Sequence, residues 1–200
     1  VNYIIKLLKK NDKIKWFFFP STSHVYKKSK VILNENSKKK PSSVYANTKL
    51  QAEKNLQKFQ KEKNINICIG RIFSITNYNQ KGSFVVPSLF RKIKRNYNLK
   101  IENLSAERDF VHIDDVCEAI FLLLTKQKKG VFNISTKKKI KIYEIANLIK
   151  QKIKKKKIFS NLKRHRNSDI LYGENKKLKE IGWVPKKNIN TIISDFIQKN

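Results

Sequence analysis

The 200-residue sequence is poor in cysteine and methionine and has no long apolar run. Two cysteines do not make a disulfide framework. Cys68 and Cys117 both have apolar neighbours, so we predict that they are reduced core residues of an intracellular, cytoplasmic protein. A membrane-spanning helix needs ~20 apolar residues, and no such stretch occurs, so we expect no membrane partner. Methionine is absent even from position 1, which we interpret as a sign that the chain is a fragment of a longer protein.

Acidic residues are also scarce, with 15 Asp and Glu against 46 Lys and Arg and a formal net charge of +31. Such a charge is typical of proteins that bind nucleic acid or other polyanions. Only six of the basic residues are arginine, the side chain that makes bidentate contacts with bases and phosphates. Because Asn and Ile are also abundant, we interpret the lysine excess as coding bias on a solvated surface and predict no nucleic-acid partner. A basic polyanion-binding protein is the less favoured alternative.

Apolar periodicity predicts helices that alternate with short buried strands. An opening helix is followed by a strand at 14–19, a helix that Ser42 or Ser43 caps and that ends near Lys63, and a strand at 65–69. The later elements are a helix at 86–97, a strand at 108–113, a helix that Asp114 caps and Gly130 stops, a strand at 131–135, and helices at 142–153, 175–181 and 191–197. This order is typical of an α/β fold with a doubly wound parallel sheet. The alternation weakens after about residue 136, which predicts a second, smaller lobe.

A doubly wound sheet that binds a dinucleotide begins with a strand and a G-x-G-x-x-G turn. The five glycines of this chain form no such turn, and the chain opens in a predicted helix. We therefore expect the first half of the sheet to lie upstream of Val1, and the 200 residues alone to bind NAD(P) poorly. The three histidines have no ligand-like spacing with one another or with the cysteines, so no metal site is predicted.

The first candidate site consists of Tyr45 and Lys49 on one predicted helix, with Thr22 at the end of the preceding strand. Residues i and i+4 share a helix face. A lysine ammonium beside a phenol favours the phenolate, and a threonine hydroxyl can bond the same substrate oxygen. Such a trio can give or take a proton at a sugar hydroxyl or ketone. The spacing of Tyr45 and Lys49 alone is common in helices, so the neighbouring motifs must indicate whether this trio is a catalytic site.

Those motifs resemble a known family. The chain reads PSTSHVY at 20–26, PSSVYANTK at 41–49 with Glu53 four residues on, GRIFS at 70–74, RDFVHIDDV at 108–116, RNSD at 166–169, and a closing stretch from Asn175 to Trp183 and Pro185. In this order the chain resembles the extended short-chain dehydrogenase/reductases, which are NAD(P)-dependent nucleotide-sugar epimerases, dehydratases and reductases. The resemblance implies a Rossmann-like doubly wound parallel sheet, of which this chain holds the second half, with a smaller C-terminal substrate-binding lobe. Residues 1–82 and 110–135 would belong to the NAD(P)-binding domain, and residues 83–109 and 136–200 to the nucleotide-sugar-binding lobe.

The resemblance also implies roles for single residues. Tyr45 would be the proton donor or acceptor at the sugar C4 oxygen. Lys49 would favour the phenolate form of Tyr45 and hold the nicotinamide ribose of NAD or NADP. Thr22 would polarise the same sugar C4 oxygen. The further contacts implied are Ile72 with the cofactor; His24, Ser74 and Val86 with the substrate; Arg108 and Arg166 with the diphosphate; and Asp169 with a ribose or sugar hydroxyl. The implied partners are a nucleotide-diphosphate sugar and a second copy of the chain in a homodimer.

Two segments, 80–87 and 101–109, resemble the reductases of GDP-4-keto-6-deoxy-mannose and their close kin. The 4,6-dehydratases of the family carry Asp-Glu after the active-site Thr, where this chain has Ser23 and His24. We therefore predict a reductase or an epimerase that acts at the sugar C4 carbonyl or hydroxyl. Ser74 replaces a family Asn, and Asn77-Tyr78 replaces Gly-Pro. These departures leave a catalytically inactive nucleotide-sugar binder as an alternative.

Overall fold

The computed structural model describes residues 1–63, 65–95, 104–155 and 170–199. Within those ranges the helices are α1 (Asn2–Lys10), α2 (Val44–Glu62), α3 (Val85–Lys94), α4 (Ile113–Thr125), α5 (Ile142–Lys152), α6 (Lys176–Glu180) and α7 (Ile189–Gln198). The strands are β1 (Trp16–Thr22), β2 (Asn66–Ile72), β3 (Ser74–Thr76), β4 (Glu107–Arg108), β5 (Phe110–His112), β6 (Gly130–Ile134), β7 (Ile140–Lys141) and β8 (Ile170–Leu171). A 3-10 turn, Ser23–Val25, follows β1. In the parts of the chain that the structure describes, no helix combines the length and apolarity that a membrane crossing requires.

The centre of the fold is a three-stranded parallel sheet in the order β1-β2-β6. β1 and β2 pair from Trp16 with Asn66 to Thr22 with Ile72, and Ile72 pairs in turn with Ile134. The strands are rich in isoleucine and phenylalanine, as expected for a parallel sheet that is covered on both faces. The register brings the carboxyl ends of all three strands to one edge, which is where ligands bind in open α/β sheets.

Side chains alternate between the two faces of this sheet, so the core around the sheet has two layers, one on each face. The face of α1 and α2 holds Leu8, Phe19, Leu56, Phe59, Ile67 and Ile69. The face of α4 and α6 holds Cys68, Val116, Ala119, Leu123, Phe132, Ile134 and Leu178. Helices on both faces of a parallel sheet are the doubly wound arrangement that the sequence predicts, so the predicted fold class is confirmed.

Gly70 of β2 is required by a close packing contact. A Cβ on Gly70 would lie 2.4 Å from Cζ of Phe18 and 3.1 Å from Cδ1 of Ile134. Both neighbours are side chains of adjacent strands that pack in one core cluster, so at least the Phe18 ring must shift to admit a Cβ. Any side chain at this position would overpack the face of α4 and α6.

A second core lies apart from the sheet and is built by α3, α5 and α7. Its buried members include Leu89 of α3 and Ile149 of α5, and the rings of Phe90 and Phe196 meet edge-on at 5.3 Å. Beside it, β4 pairs antiparallel with β7 and parallel with β8. Apart from Phe110, the residues of this second core fall within 83–109 and 136–200, the ranges predicted for the smaller lobe.

Three local predictions that concern α4 are wrong. The N-cap of α4 is His112 rather than Asp114, because His112 Nδ1 accepts the Asp114 N–H at 3.1 Å. Asp114 lies instead in the first turn, where the helix dipole stabilises its negative charge. Gly130 does not stop α4, which ends at Thr125; with φ +101° it begins β6. Cys117, predicted to be a core residue, is exposed because it lies on the solvent face of α4, whereas Cys68 is buried.

Candidate active site

The end of β1 presents a hydroxyl at the carboxyl edge of the sheet. Thr22 is the last residue of β1 and is only 6% exposed. Its Oγ1 accepts the N–H of His24 at 3.3 Å and so caps the 3-10 turn that follows. His24 itself is exposed on that turn. The strand and its cap therefore fix the Thr22 hydroxyl beside Ile72, the last residue of β2.

α2 brings Tyr45 and Lys49 to the same edge. The Ser43 side chain caps the helix, so Tyr45 lies in the first turn and is 57% exposed. Lys49, one turn further on, is half-buried, and its Nζ donates to the C=O of Pro20 at 2.7 Å. Nζ also lies 5.8 Å from the centre of the Tyr45 ring. One ammonium thus links the helix that carries the phenol to the strand that ends in Thr22.

The surroundings of Lys49 are partly desolvated. Burial lowers the pKa of Lys49 from its usual range, because a low-dielectric environment disfavours the charged form. The Pro20 carbonyl and the ring of Phe19, 4.9 Å from Nζ, offset part of this cost. An ammonium has three N–H donors, and one of them is directed at Pro20. The group is therefore suited to binding hydroxyl ligands at the sheet edge.

A buried ion pair, to which the sequence interpretation assigns no role, lies beneath these residues. Glu53, one turn beyond Lys49, and Arg71, in β2, are 1% and 3% exposed. Arg71 Nε lies 3.1 and 3.2 Å from the two carboxylate oxygens, and Nη2 donates to Oε2 at 2.6 Å. Ser21 Oγ donates to Oε1 at 2.5 Å. The sequence signal is a charge within an apolar strand and a glutamate on the same helix face as Tyr45.

Polar groups from three further segments complete the surroundings of Arg71. Nη1 donates to the Tyr26 hydroxyl at 3.0 Å and to the C=O of Glu35 at 2.9 Å. The Tyr26 hydroxyl donates to Asn133 Oδ1 at 2.6 Å, and the Asn133 N–H donates to Glu35 Oε1 at 2.9 Å. Burial raises the pKa of Tyr26 to about 12, so its hydroxyl keeps the proton that it donates. The segment between β1 and α2 is therefore held against the sheet by buried contacts.

Asp109, between β4 and β5, organises the neighbouring strand ends. Its carboxylate is fully buried and accepts the N–H and hydroxyl of Thr136 at 2.8 and 2.6 Å, the N–H of Lys137 at 3.0 Å and that of Gly173 at 3.4 Å. Its C=O accepts the N–H of Ser74 at 2.9 Å. The single strand predicted at 108–113 is therefore interrupted between β4 and β5, because Asp109 turns towards these donors. Burial raises the pKa of Asp109 to about 6, although the hydrogen bonds act in the opposite direction.

The remaining predicted substrate residues lie in different environments. Ser74, at the start of β3, is half-buried and donates its N–H to the Asp109 carbonyl. Arg108, in β4, is also half-buried and immediately precedes Asp109. Val86 is 1% exposed within the second core, so a ligand could meet its main chain but not its side chain. Arg166 and Asp169 lie outside the described residues. Across the described ranges, no group of three or more His, Cys, Asp or Glu side chains could hold a metal ion.

A second buried carboxylate, that of Asp115 in α4, holds the segment that precedes α7. It is 1% exposed and accepts the N–H of Lys186 at 3.0 Å and of Lys187 at 3.1 Å. The C=O of Asp115 accepts the indole N–H of Trp183 at 3.0 Å. The Asp115 carboxylate therefore holds a segment about 70 residues away rather than the N-terminus of its own helix.

Comparisons with known proteins agree with the sequence motifs and with the doubly wound sheet. The sequence profile of the family described as GDP-mannose 4,6 dehydratase matches residues 3–196, and the chain belongs to this family, within the extended short-chain dehydrogenase/reductases. The chain is 30% identical over 202 residues to ADP-L-glycero-D-manno-heptose-6-epimerase of Brachyspira hyodysenteriae, covering 94% of this chain and 64% of that protein. It is 29% identical over 116 residues to GDP-6-deoxy-D-mannose reductase of Pseudomonas aeruginosa, covering 54% of this chain and 38% of that protein. The chain thus spans less than two thirds of the length of either relative.

Solved structures share the fold. RMD from Pseudomonas aeruginosa complexed with NADPH superposes with a TM-score of 0.90 at 23% identity, over 98% of this chain and 70% of that one. UDP-glucuronic acid 4-epimerase from Bacillus cereus, in complex with UDP-4-deoxy-4-fluoro-glucuronic acid and NAD, superposes with a TM-score of 0.87 at 23% identity, over 100% of this chain and 67% of that one. These likenesses confirm the Rossmann-like α/β fold.

Proposed function

We propose that this chain supplies the catalytic residues and substrate lobe of an NAD(P)-dependent nucleotide-sugar reductase or epimerase. The reaction takes place at the C4 carbonyl or hydroxyl of the sugar, as in reductases of GDP-4-keto-6-deoxy-mannose. The observation that carries the proposal is the contact of Lys49 with the Pro20 carbonyl at 2.7 Å. It ties the helix of the exposed Tyr45 phenol to the strand that ends in Thr22, at the ligand-binding edge of the sheet.

The proposed chemistry is proton transfer coupled to hydride transfer. In reduction, the Tyr45 hydroxyl gives its proton to the C4 oxygen as a hydride arrives at C4, and oxidation runs in reverse. The Thr22 hydroxyl donates to the same oxygen and polarises the carbonyl. The Lys49 ammonium stabilises the phenolate that forms, and solvent restores the proton because Tyr45 is 57% exposed.

The residues present fit a nicotinamide dinucleotide, NAD or NADP. The N–H donors of Lys49 that are not directed at Pro20 can bond ribose hydroxyls. Ile72 is 9% exposed at the end of β2 and offers an apolar surface to the nicotinamide ring. When bound, this group supplies or accepts the hydride. The NADPH and NAD that the similar structures contain support the assignment.

For the substrate we propose a nucleotide-diphosphate sugar. Arg108 is half-buried in β4, and a guanidinium group matches the geometry of phosphate oxygens. His24, exposed after Thr22, and the half-buried Ser74 are polar groups at strand ends where a sugar could bind. Contacts of Arg166 with the diphosphate and of Asp169 with a hydroxyl rest on the family resemblance alone.

The separate cores support an assignment of cofactor binding and substrate binding to two different parts of the chain. We assign residues 1–82 and 110–135 to the cofactor domain and residues 83–109 and 136–200 to the nucleotide-sugar lobe, in which Val86 would contact the substrate through its main chain.

A cytoplasmic homodimer is part of the proposal, and sedimentation equilibrium measures whether two copies associate. The expected result is a mass of twice that of one chain.

An inactive nucleotide-sugar binder is the second candidate. It is favoured by Ser74 and Asn77-Tyr78, which replace the Asn and Gly-Pro of related enzymes at the substrate side. This candidate predicts affinity for nucleotide sugars without turnover.

The test uses the protein that the native gene encodes, with reduced cofactor and a panel of 4-keto-6-deoxy nucleotide sugars. We expect oxidation of NADH or NADPH, and a loss of at least about 100-fold in kcat in Tyr45→Phe and Lys49→Met. Lys54→Met, at an exposed position of the same helix, is the matched control and should leave kcat unchanged. A reductase consumes one reduced cofactor per 4-keto sugar, whereas an epimerase that is given the 4-hydroxy sugar inverts C4 with no net consumption of cofactor. Elimination of water to give a 4-keto-6-deoxy sugar, the reaction of a 4,6-dehydratase, or salt-sensitive binding of nucleic acid with no sugar chemistry, would contradict the proposal.

A further inference from the structure

Two consecutive residues at the end of β1 are tied to two successive turns of α2. The C=O of Pro20 accepts Lys49 Nζ at 2.7 Å, and the hydroxyl of Ser21 donates to Glu53 Oε1 at 2.5 Å. Lys49 and Glu53 are four residues apart, on the helix face that also carries Tyr45. The strand and the helix are therefore connected directly below the candidate active site.

Arg71 extends this connection to β2. It is the register partner of Ser21 and immediately precedes Ile72. Its Nε and Nη2 lie within 3.2 Å of the Glu53 carboxylate oxygens. A forked contact between a guanidinium and a carboxylate restricts the orientation of both groups. α2 is thereby fixed to the ends of both strands at once.

Stability alone does not account for the buried pair. Glu53 and Arg71 are 1% and 3% exposed, and the cost of desolvating two charges roughly cancels their attraction. Apolar side chains of similar volume would stabilise the core at least as well. Apolar contacts, however, do not impose a direction, whereas a fully bonded polar network is rigid. Tyr26, Glu35 and Asn133 complete such a network around Arg71.

We propose that Glu53 is a positioning residue that holds α2 at one depth and rotation over β1 and β2, so that Tyr45 and Lys49 face Thr22. Glu53 is buried beneath the site and acts through Ser21, whose neighbouring carbonyl holds Lys49. Small misplacements of catalytic groups lower turnover more than binding. The kinetic consequence rests on the proposed function, whereas the position of the Lys49 ammonium does not.

The test is Ser21→Ala, which removes one hydrogen bond and leaves the Glu53–Arg71 pair in place. The first readout is an NMR titration of the Lys49 side chain, assigned with Lys49→Arg. We expect the pKa of Lys49 to rise towards its ordinary value, because the ammonium is released from Pro20 and gains water. The second readout is kinetic: kcat should fall about tenfold while KM for the nucleotide sugar stays within about twofold.

Two controls frame these outcomes. Ser21→Thr keeps the hydroxyl and should restore both readouts, and Glu62→Gln, exposed at the end of α2, should change neither. If Ser21→Ala lowers only the thermal midpoint and leaves the Lys49 titration and kcat as in the native protein, the inference is overturned. If the native protein turns over no nucleotide sugar, the proposed function fails, and the Lys49 titration still decides the inference. Glu53→Gln should shift the titration in the same direction where it folds.

Discussion

The buried carboxylate of Asp109 makes stability depend on pH in a direction opposite to that of most carboxylates. Burial raises its pKa from 3.8 to about 6, so the folded protein binds this proton more tightly than the unfolded chain does. A raised pKa contributes stability that is fully present below about pH 4 and is lost as the pH rises through about 6. A shift of about two pKa units corresponds to about 3 kcal/mol. No discount for solvent screening applies, because the side chain is 0% exposed.

The measurement compares the native protein with Asp109→Asn by urea denaturation at several pH values. Asn cannot ionise, so the difference in free energy of unfolding should grow in favour of the native protein by about 2 to 3 kcal/mol between pH 7 and pH 4. All other titrating groups are shared and largely cancel. A difference that is constant with pH, or that shrinks on acidification, would refute the reasoning.

Two further predictions rest on single contacts, and a third rests on a motif that the 200 residues do not contain. Gly70→Ala should lower the free energy of unfolding by about 1–3 kcal/mol, because its Cβ would lie 2.4 Å from the Phe18 ring; an unchanged denaturation midpoint would contradict this packing. Asp115→Ala should leave the N–H groups of Lys186 and Lys187 without their acceptor and speed their hydrogen exchange, which NMR measures; native protection factors would rule the contact out. Calorimetry of the 200 residues with NAD or NADP should show weak binding, since they contain no G-x-G-x-x-G turn; tight binding would disprove this.

Local patterns in the sequence predict most of the elements because they depend on neighbouring residues. The apolar spacing that follows Ser43 predicts α2, and the runs near Phe19 and Ile69 predict β1 and β2. The α4 cap is wrong because Asp is a commoner cap than His, and only the structure shows that the His112 ring turns back to the Asp114 N–H. The errors at the α4 cap and at Cys117 concern which way a side chain points rather than which element is present.

Contacts between distant residues could not be predicted in this way. The Tyr26–Asn133 bond joins residues 107 apart, and the Asp109–Gly173 bond joins residues 64 apart. Motif resemblance points to Tyr45 and similar residues, but it does not show how they are supported. The buried carboxylates become interpretable only when their donors are known, because burial without partners is costly for any charge.

The central claim is that hydride is exchanged at the sugar C4 position with Tyr45 as the proton donor. The most direct measurement is mass spectrometry of the product that the native protein forms from a 4-keto-6-deoxy nucleotide sugar and NAD(P)H deuterated at the transferring position. We expect deuterium at C4 of the sugar, with the labelled product lost in Tyr45→Phe and retained in Tyr3→Phe, an exposed tyrosine on α1. Unlabelled product, or label at C4 with equal yield in Tyr45→Phe, would contradict it.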